Sequence, residues 1–190
     1  MTSFYTKSEL TALGLKNLGD EVLISKKCSI YSAEKISIGS NVRIDDFCIL
    51  SGNISIGSNV HISAFCALYG AKGIVLEDYT GISPRGTIFS AMDDFSGNFL
   101  IGPIHPMHLT NVTGGLVVMK KFSQLGANTI VFPSLTIGEG AVTGALTLVN
   151  KNLAPWTINV GIPVHKIKNR DKGLLDKITL SKQHNSSKQI

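Results

Sequence analysis

Aromatic and charged side chains are scarce in this sequence, and long apolar runs are missing. Aromatics make up 7% of the 190 residues, and Asp, Glu, Lys and Arg together make up 16%; both values are low for a globular domain. Hydrophobic residues still account for 43%, which is enough for one domain of this length to bury a sizeable core. That core must therefore be built mainly from aliphatic side chains.

Several classes of protein are disfavoured by what the chain lacks. No apolar run approaches the roughly 20 residues that cross a bilayer, and residues 1–7 lack the basic-then-apolar pattern of a signal peptide. We therefore expect a soluble, cytoplasmic protein without membrane insertion. The cysteines Cys28, Cys48 and Cys66 are odd in number and lack CxxC spacing, which argues against a disulfide framework and a zinc site. We expect neither a metal nor a nucleic-acid partner.

Positive charge is concentrated near the C-terminus. The formal net charge is +5, and seven of the 18 Lys and Arg residues follow Pro163: Lys166, Lys168, Arg170, Lys172, Lys177, Lys182 and Lys188. A basic tail attracts phosphate, but a solvated and partly frayed terminus has the same composition. Charge alone leaves both interpretations open.

A six-residue repeat is the strongest signal in the sequence. Aliphatic residues, replaced once by threonine, recur at every sixth position, with two-residue slips and one long interruption, at Ile24, Ile30, Ile38, Ile44, Leu50, Ile56, Ile62, Leu68, Leu76, Ile82, Ile88, Met119, Leu125, Val131, Ile137, Thr143 and Val149. Neither a 3.6-residue helical period nor simple strand alternation explains this spacing. It predicts a short strand, a turn and a restart on the next face, so that three faces form an 18-residue coil. The strands of successive coils would pair at about 4.8 Å.

The positions four residues after each aliphatic residue carry small or medium side chains. Among them are the three cysteines; Cys48 and Cys66 are eighteen residues apart, and Cys28 precedes Cys48 by eighteen plus a two-residue slip. We therefore expect all three thiols to stack in one interior column as core filler.

This pattern resembles the hexapeptide-repeat acyltransferases over residues 20–170. The most specific stretches begin at Ile38-Gly-Ser-Asn-Val, Pro133-Ser-Leu-Thr-Ile-Gly and Pro155-Trp-Thr-Ile-Asn. The resemblance implies an all-β fold, a left-handed parallel β-helix. It also implies an acetyl-CoA donor, an amine or hydroxyl acceptor on a sugar or other small molecule, and a homotrimer with active sites between subunits.

The two ends and the interruption divide the chain. Residues 1–20 are expected to cap the first coil, with a short helix opened by the capping-box spacing of Thr6 and Glu9. Residues 21–160 form the β-helix, and residues 161–190 a coenzyme-closing segment and a tail with a possible helix near Leu174. The repeat stops between about residues 90 and 115, where we expect a structureless loop that carries function.

Small residues suggest where a coenzyme would lie. The pairs Gly126-Ala127 and Gly144-Ala145 are eighteen residues apart, so they should stack on one edge and let a pantetheine arm approach the backbone; corner glycines that serve the architecture alone would look the same. The resemblance further implies that the stretch from Gly161 and Pro163 to Lys166 closes over coenzyme A, with the basic tail and Lys151 near its phosphates.

The acid–base group is ambiguous in this sequence. Many relatives use a loop histidine, whereas this chain has Asp93 and Asp94 near the loop start and carries His105 and His108 eleven or more residues further on. The stretch Ser90-Ala-Met-Asp-Asp-Phe-Ser-Gly resembles a Ser-x-Ser-Asp-Asp-Tyr/Phe-Ser-Gly element of the branch that acts on nucleotide-linked sugars. We favour the two aspartates and expect Ser90, Arg85 and Asn111 to contact substrate.

The aspartates favour an amine acceptor. A hydroxyl needs a well-placed base such as histidine, whereas a sugar amine titrates nearer neutrality and needs orientation and a carboxylate that accepts its proton. A backbone N–H near Gly126 would stabilise the oxyanion. We therefore predict an acetyl-CoA-dependent N-acetyltransferase acting on a nucleotide-linked amino sugar for surface polysaccharide, similar to acyltransferases of dTDP- or UDP-linked 4-amino-4,6-dideoxy sugars. The alternatives are O-acetylation with His105 or His108 as the base, and a structural β-helix without activity.

Overall fold

Short strands follow one another along nearly the whole chain. The structure, a computed structural model, describes residues 3–186 and the side chains of residues 3–180, so Lys188 and the side chain of Lys182 lie outside the described part. The helices are α1 (Lys7–Ala12) and α2 (Leu174–Ser186), and 3-10 turns cover Ala33–Lys35 and Met107–Leu109. In chain order, the strands are β1 (Asn17–Leu18), β2 (Val22–Ile24), β3 (Ser29–Tyr31), β4 (Ile36–Ile38), β5 (Val42–Ile44), β6 (Ile49–Ile56), β7 (Val60–Ile62), β8 (Ala67–Leu76), β9 (Gly81–Ile82), β10 (Thr87–Phe89), β11 (Ala91–Asp93), β12 (Val112–Gly114), β13 (Val117–Met119), β14 (Gln124–Leu125), β15 (Ile130–Val131), β16 (Thr136–Ile137), β17 (Val142–Thr143), β18 (Leu148–Val149), β19 (Thr157–Val160) and β20 (His165–Asn169).

Parallel strands stack in three ladders, which are the faces of the coil. Face 1 runs β1-β4-β6-β8-β13-β16, face 2 runs β2-β5-β7-β9-β14-β17-β19, and face 3 runs β3-β6-β8-β10-β15-β18. The long strands β6 and β8 turn a corner and contribute to both face 1 and face 3. The predicted all-β fold, a parallel β-helix of hexapeptide repeats, is confirmed.

The repeat positions form the interior. Ile44, Leu50, Ile62 and Leu68 have no exposed surface, and the other predicted aliphatic positions are buried as well, except Ile30, which is half-buried. Burying each such side chain contributes about 1.5–3 kcal/mol relative to leaving it in water. The coil is therefore held by a continuous aliphatic column rather than by a globular core.

The three cysteines occupy the predicted interior column. All are buried and free, and the pairing of β3, β6 and β8 places them at one level of successive coils. Each Sγ donates to a carbonyl oxygen of the next coil: Cys28 to Asp45 at 3.0 Å, Cys48 to Ser63 at 3.1 Å and Cys66 to Ser83 at 3.3 Å. The thiols therefore serve coil stacking.

The predicted N-terminal helix is present and is closed by its capping box. The backbone N–H of Glu9 donates to Thr6 Oγ1, and the backbone N–H of Thr6 donates to Glu9 Oε2 at 2.7 Å. A hydrogen bond from Lys26 at 2.6 Å lowers the pKa of Glu9 to about 2. Leu10 is buried against the first coils, so α1 covers their open end.

The C-terminal segment adds an antiparallel strand that the sequence did not indicate. After a turn with a cis Ile162–Pro163 bond, β20 pairs with β19 along face 2. Arg170 Nη1 donates to the carbonyl oxygens of Phe122 at 2.9 Å and Gly140 at 3.0 Å, which ties this segment to two coils. The helix expected near Leu174 is present as α2.

The interruption of the repeat is an arm rather than a structureless loop, which corrects the expectation. In this arm, residues 91–114, strand β11 pairs antiparallel with β12 to make a two-stranded ribbon. Further out, an isolated parallel bridge joins Leu100 and Thr110, and the N–H of Leu100 donates to the carbonyl of Leu109 at 2.8 Å. At the root, Gly115 N–H donates to Ser90 O at 2.9 Å. Both strands can pair because each satisfies the other's backbone groups away from the coil.

Candidate active site

Small residues line one corner of the coil, at the end of face 2. The pairing of Ile82 with Leu125, and of Gln124 with Val142, brings Ser83, Gly126 and Gly144 to the same position on successive coils. We refer to these three residues and the residue after each of them as the small-residue edge. The strand register therefore stacks Gly126-Ala127 above Gly144-Ala145, as the sequence predicted.

The glycines of this edge have an architectural reason to be glycine. A Cβ on Gly126 would collide with the backbone of Gly144, and a Cβ on Gly144 would lie 2.7 Å from Val160 Cγ1. Gly39, far from this edge, has the same problem, because its Cβ would lie 2.7 Å from the backbone of Gly57. Close stacking of coils therefore requires these glycines, and the exposed Ala145 keeps the edge narrow.

The remaining predicted coenzyme residues lie towards the C-terminal end of the coil. Gly161 adopts a φ of +98° in the turn between β19 and β20, which favours glycine. Pro163 and Lys166 are exposed in and after this turn, and Lys151 is exposed after β18. Their side chains face solvent, where a phosphate could reach them.

Face 2 has a notch beside the small-residue edge. Along the outward ladder, Gly81 lies opposite His61 on one side and Gln124 on the other. A Cβ at Gly81 would collide with the Gln124 side chain, which lies over this glycine. The surface around these residues forms a cavity of about 220 Å³. Ser63 and Ser83 also line this notch.

A charged cluster at the notch was missed by the sequence prediction. His61 Nε2 lies 2.8 Å from Asp45 Oδ2, and Arg43 Nε donates to Asp45 Oδ1 at 2.7 Å. Partial burial raises the pKa of Asp45, but the hydrogen bonds from His61 and Arg43 outweigh it and leave that pKa below its ordinary value. The eighteen-residue spacing of Arg43 and His61 was the available signal, because it places both on one outward column.

The structure separates the roles of the two neighbouring aspartates. Asp94 ties the arm together: its carboxylate accepts the Ser96 N–H at 2.7 Å and the Asn111 side-chain N–H at 2.9 Å. These hydrogen bonds lower the pKa of Asp94, and the bond from the Ser96 backbone has the largest effect. Asp93 is half-buried at the end of β11, and its carboxylate forms no hydrogen bond or ion pair within residues 3–186. Asp93 is therefore the one with a carboxylate available to a ligand.

The two arm histidines are far along the chain from the root of the arm. His105 is half-buried and His108 is exposed in the second 3-10 turn, and neither forms a hydrogen bond among the described residues. The structure does not bring either of them to Asp93 by a direct contact.

The residues predicted to contact substrate differ in their surroundings. Ser90 is fully buried, and its hydroxyl is used by the coil: it accepts the Lys72 N–H at 2.8 Å and donates to Tyr69 O at 3.0 Å. A ligand could bind this hydroxyl only by displacing these two hydrogen bonds. Ser90 therefore anchors the root of the arm to the coil. The side chain of Asn111 donates its hydrogen bond to Asp94. Arg85 is exposed, with its guanidinium 5.7 Å from the centre of the Phe65 ring.

The arm presents a large apolar surface. Its exposed apolar side chains include Ile104 at 86% and Met107 at 91% exposure. The others, all at least 39% exposed, are Phe95, Phe99, Leu100, Ile101, Leu109 and Val112. An apolar surface of this extent is typical of an interface with another chain.

Two kinds of feature are absent from the described residues. Within residues 3–186 no group of three or more His, Cys, Asp or Glu side chains is arranged to hold a metal ion. Of the described helices, none is both long enough and apolar enough to span a membrane.

Comparison with known proteins agrees with the fold. The bacterial transferase hexapeptide family (six repeats) matches residues 35–70. The dTDP-4-amino-4,6-dideoxy-D-glucose acyltransferase of Escherichia coli is 38% identical over 177 residues, which is 92% of each chain. The protein belongs to the hexapeptide-repeat acyltransferases and is an acyltransferase.

Solved structures of one relative match the whole chain. AntD, an N-acyltransferase from Bacillus cereus solved with dTDP and 3-hydroxybutyryl-CoA, is 48% identical, covers 100% of both chains and has a TM-score of 0.93. A variant of AntD with one serine replaced by alanine was solved with dTDP-4-amino-4,6-dideoxyglucose and coenzyme A. Other variants replace one aspartate by alanine or asparagine.

Proposed function

We propose that this protein transfers an acetyl group from acetyl-CoA to the amine of a nucleotide-linked 4-amino-4,6-dideoxy sugar. The observation that carries the proposal is the full-length similarity to AntD, whose structures hold coenzyme A together with the dTDP-linked amino sugar. The E. coli relative carries the same sugar in its name. Both relatives, at 48% and 38% identity, support one substrate class.

The donor lies along the small-residue edge in this proposal. With no side chains beyond Cβ at Gly126, Ala127, Gly144 and Ala145, a pantetheine arm can exchange hydrogen bonds with the backbone there. The exposed turn with Gly161 and Pro163 closes over the coenzyme, and Lys166 and Lys151 meet its phosphates as point charges. The thioester then points towards Ser83 and the notch.

Asp93 holds the acceptor amine. In AntD, the replaced serine precedes the replaced aspartate by ten residues, and Ser83 precedes Asp93 by the same interval in this chain. This spacing and the unbonded carboxylate of Asp93 both favour Asp93 over Asp94. A carboxylate at that position would orient a sugar ammonium or amine through a charge-assisted hydrogen bond.

The enzyme works as a homotrimer with active sites between subunits. Ser83 lies on the coil and Asp93 on the arm, and no hydrogen bond links the two within the described part of one chain. The apolar arm fits the requirement for a neighbouring coil, because its side chains would be buried there. An arm that reaches a neighbour would bring Asp93 of one subunit to Ser83 of the next.

The product serves surface-polysaccharide assembly, such as that of lipopolysaccharide, and the enzyme acts in the cytoplasm. Three free, buried cysteines suit a reducing compartment, where disulfides are rare.

A direct assay tests the proposed activity. Purified protein is mixed with acetyl-CoA and dTDP- or UDP-linked 4-amino-4,6-dideoxy sugars, and release of the coenzyme A thiol is followed together with the mass of the sugar product. We expect a product heavier by one acetyl group on nitrogen. 3-Hydroxybutyryl-CoA is run in parallel, since AntD was solved with it. No transfer to any nucleotide-linked amine would refute the proposal.

Matched variants test which group serves the amine. Asp93→Asn should lose most of the activity, whereas Asp94→Asn should retain more, because its role is to tie the arm. The double variant His105→Ala/His108→Ala is the control for O-acetylation with an arm histidine. Full activity of Asp93→Asn together with loss in the histidine variant would favour that alternative.

A further inference from the structure

The notch on face 2 contains a histidine that is held in a defined orientation. Asp45 accepts from His61 Nε2 at 2.8 Å and is itself held by Arg43 at 2.7 Å. Asp45 therefore stabilises the tautomer with the proton on Nε2, which leaves Nδ1 as the basic nitrogen of a neutral ring. Nδ1 forms no hydrogen bond within the described residues, and the His61 side chain is 53% exposed.

The notch has the size and the position of an acceptor subsite. Its volume of about 220 Å³ is below the roughly 300–1,000 Å³ of pockets for drug-sized ligands, so it suits one sugar ring rather than a whole nucleotide. Ser83 lines the notch and also belongs to the small-residue edge. The proposed thioester position and His61 therefore border the same space.

Acyl transfer to an amine requires a proton acceptor that is effective near neutral pH. Attack converts the amine into an ammonium-like nitrogen, which must lose a proton before the amide is stable. Carboxylates as a class titrate well below neutrality, whereas imidazoles titrate close to it. A carboxylate such as Asp93 can thus orient the amine, but an imidazole is the better group to take its proton.

We propose that His61 is the proton acceptor of the acyl transfer, held by Asp45 and Arg43; this rests on the proposed function. The amine lone pair forms a C–N bond to the thioester carbonyl carbon, and the nitrogen gives a proton to His61 Nδ1. The C–S bond then breaks as the carbonyl reforms. The sulfur leaves with the bonding electrons and takes that proton, so coenzyme A departs as a thiol and His61 returns to its neutral form.

The surroundings of His61 define its expected pH behaviour. On the β5 side it faces Arg43 and Asp45, and on the β9 side it faces Gly81, which has no titratable side chain. Tyr79 also lines the notch. Because an imidazolium cannot accept a proton, the effect of a His61 variant on the acidic side of the rate profile is the readout of this role.

The test compares His61→Asn, Asp45→Asn and the wild-type enzyme in full-chain form, with whichever nucleotide-linked amino sugar the wild type turns over. His61→Asn should lower kcat about 100-fold or more with both KM values within about threefold of wild type. It should also remove the acidic limb of the kcat profile. Asp45→Asn should lower kcat less and displace that limb. Glu34→Gln, an exposed change in the first 3-10 turn, is the matched control and should leave both parameters unchanged.

Two outcomes would overturn the role of His61. One is a kcat of His61→Asn within about threefold of wild type across the pH range; the other is a raised acceptor KM at unchanged kcat, which would assign His61 to binding. Because His61 is half exposed and its removal leaves no cavity in the core, the variant should fold, and its melting temperature verifies this. The wild-type rate tests the proposed function, whereas the ratio of variant to wild type tests His61.

Discussion

Single residues of this protein are constrained chiefly by the distance between coils. Strands of adjacent coils are about 4.8 Å apart, which leaves no room for a Cβ at Gly39 or Gly126. The same spacing allows only small inward side chains in the cysteine column. A residue on the small-residue edge is therefore constrained by coil stacking and, in the proposed function, also by the coenzyme.

Gly126→Ala and Gly39→Ala separate these two demands. Both variants force a Cβ against the backbone of the next coil, so each should lose about 1–3 kcal/mol of stability through overpacking. Only Gly126→Ala should also raise the KM for acetyl-CoA, because Gly39 is on another face. Denaturant melts and steady-state kinetics measure the two effects. An unchanged KM for acetyl-CoA in Gly126→Ala would leave this glycine with the architectural role alone.

Asp94 should make the order of the arm dependent on acidity. Its pKa in the folded protein lies below the ordinary value of 3.8, so its hydrogen bonds contribute above that value and are lost as the pH falls through the lowered pKa. We expect the Ser96 amide to become less protected from hydrogen exchange when the pH is lowered below 3.8. In Asp94→Ala that protection should be low even at neutral pH. Equal protection in the variant and the wild type would contradict the assignment.

Among the elements, the repeat strands could be predicted from the sequence and the arm and β20 could not. A six-residue period reports directly on which side chains point inwards, so every face of the coil followed from it. The ribbon of β11 and β12 depends on pairing between segments that carry no repeat. Strand β20 has five exposed residues, and exposure gives no hydrophobic pattern to read.

The candidate site was predictable in part for the same reason. The small-residue edge and the aspartate pair were visible as spacing and as a motif. The His61, Asp45 and Arg43 cluster required knowing that outward positions eighteen residues apart touch each other. The different roles of Asp93 and Asp94 depend on hydrogen bonds that only the folded arm defines.

The arm should control assembly and activity together. Replacing Ile104 and Met107 by serine removes two of its most exposed apolar side chains. We expect the double variant to shift from the proposed trimer to smaller species in light scattering and to lose activity in proportion, with an unchanged far-ultraviolet spectrum. Tyr31→Ser, at a side chain 58% exposed on the coil, is the control. A variant that stays trimeric and active would remove the arm from the interface.

At the scale of the whole molecule, the β-helix is a stack in which each coil contacts only its neighbours. Stability in such a stack is approximately a sum over coils and their contacts, and the two ends need protection. Helix α1 covers one end. The other end is closed by β20 and by Arg170, which bonds to two coils at once.

Arg170→Ala should therefore destabilise the whole coil. Hydrogen bonds to charged groups contribute about 1.5–3 kcal/mol, and partial burial already lowers the pKa of Arg170, a sign that its guanidinium is removed from water. We expect a lower melting temperature for Arg170→Ala and only partial recovery in Arg170→Lys, whose single ammonium lacks the planar fork. Lys177→Ala, an exposed change in α2, should melt like the wild type.

The coils also rise along the axis in steps of constant length. Ser83, Gly126 and Gly144 mark successive steps of about 4.8 Å along the axis. In the proposed arrangement, the distance from the acceptor to the far end of the donor is therefore a whole number of coils. One extra coil inserted between β9 and β14 would part the reacting atoms by a full step, whereas reaction requires them within about 3–3.5 Å. The same insertion between β2 and β5 would leave that distance unchanged. Extra coils at the N-terminal end would therefore leave the proposed donor site unchanged.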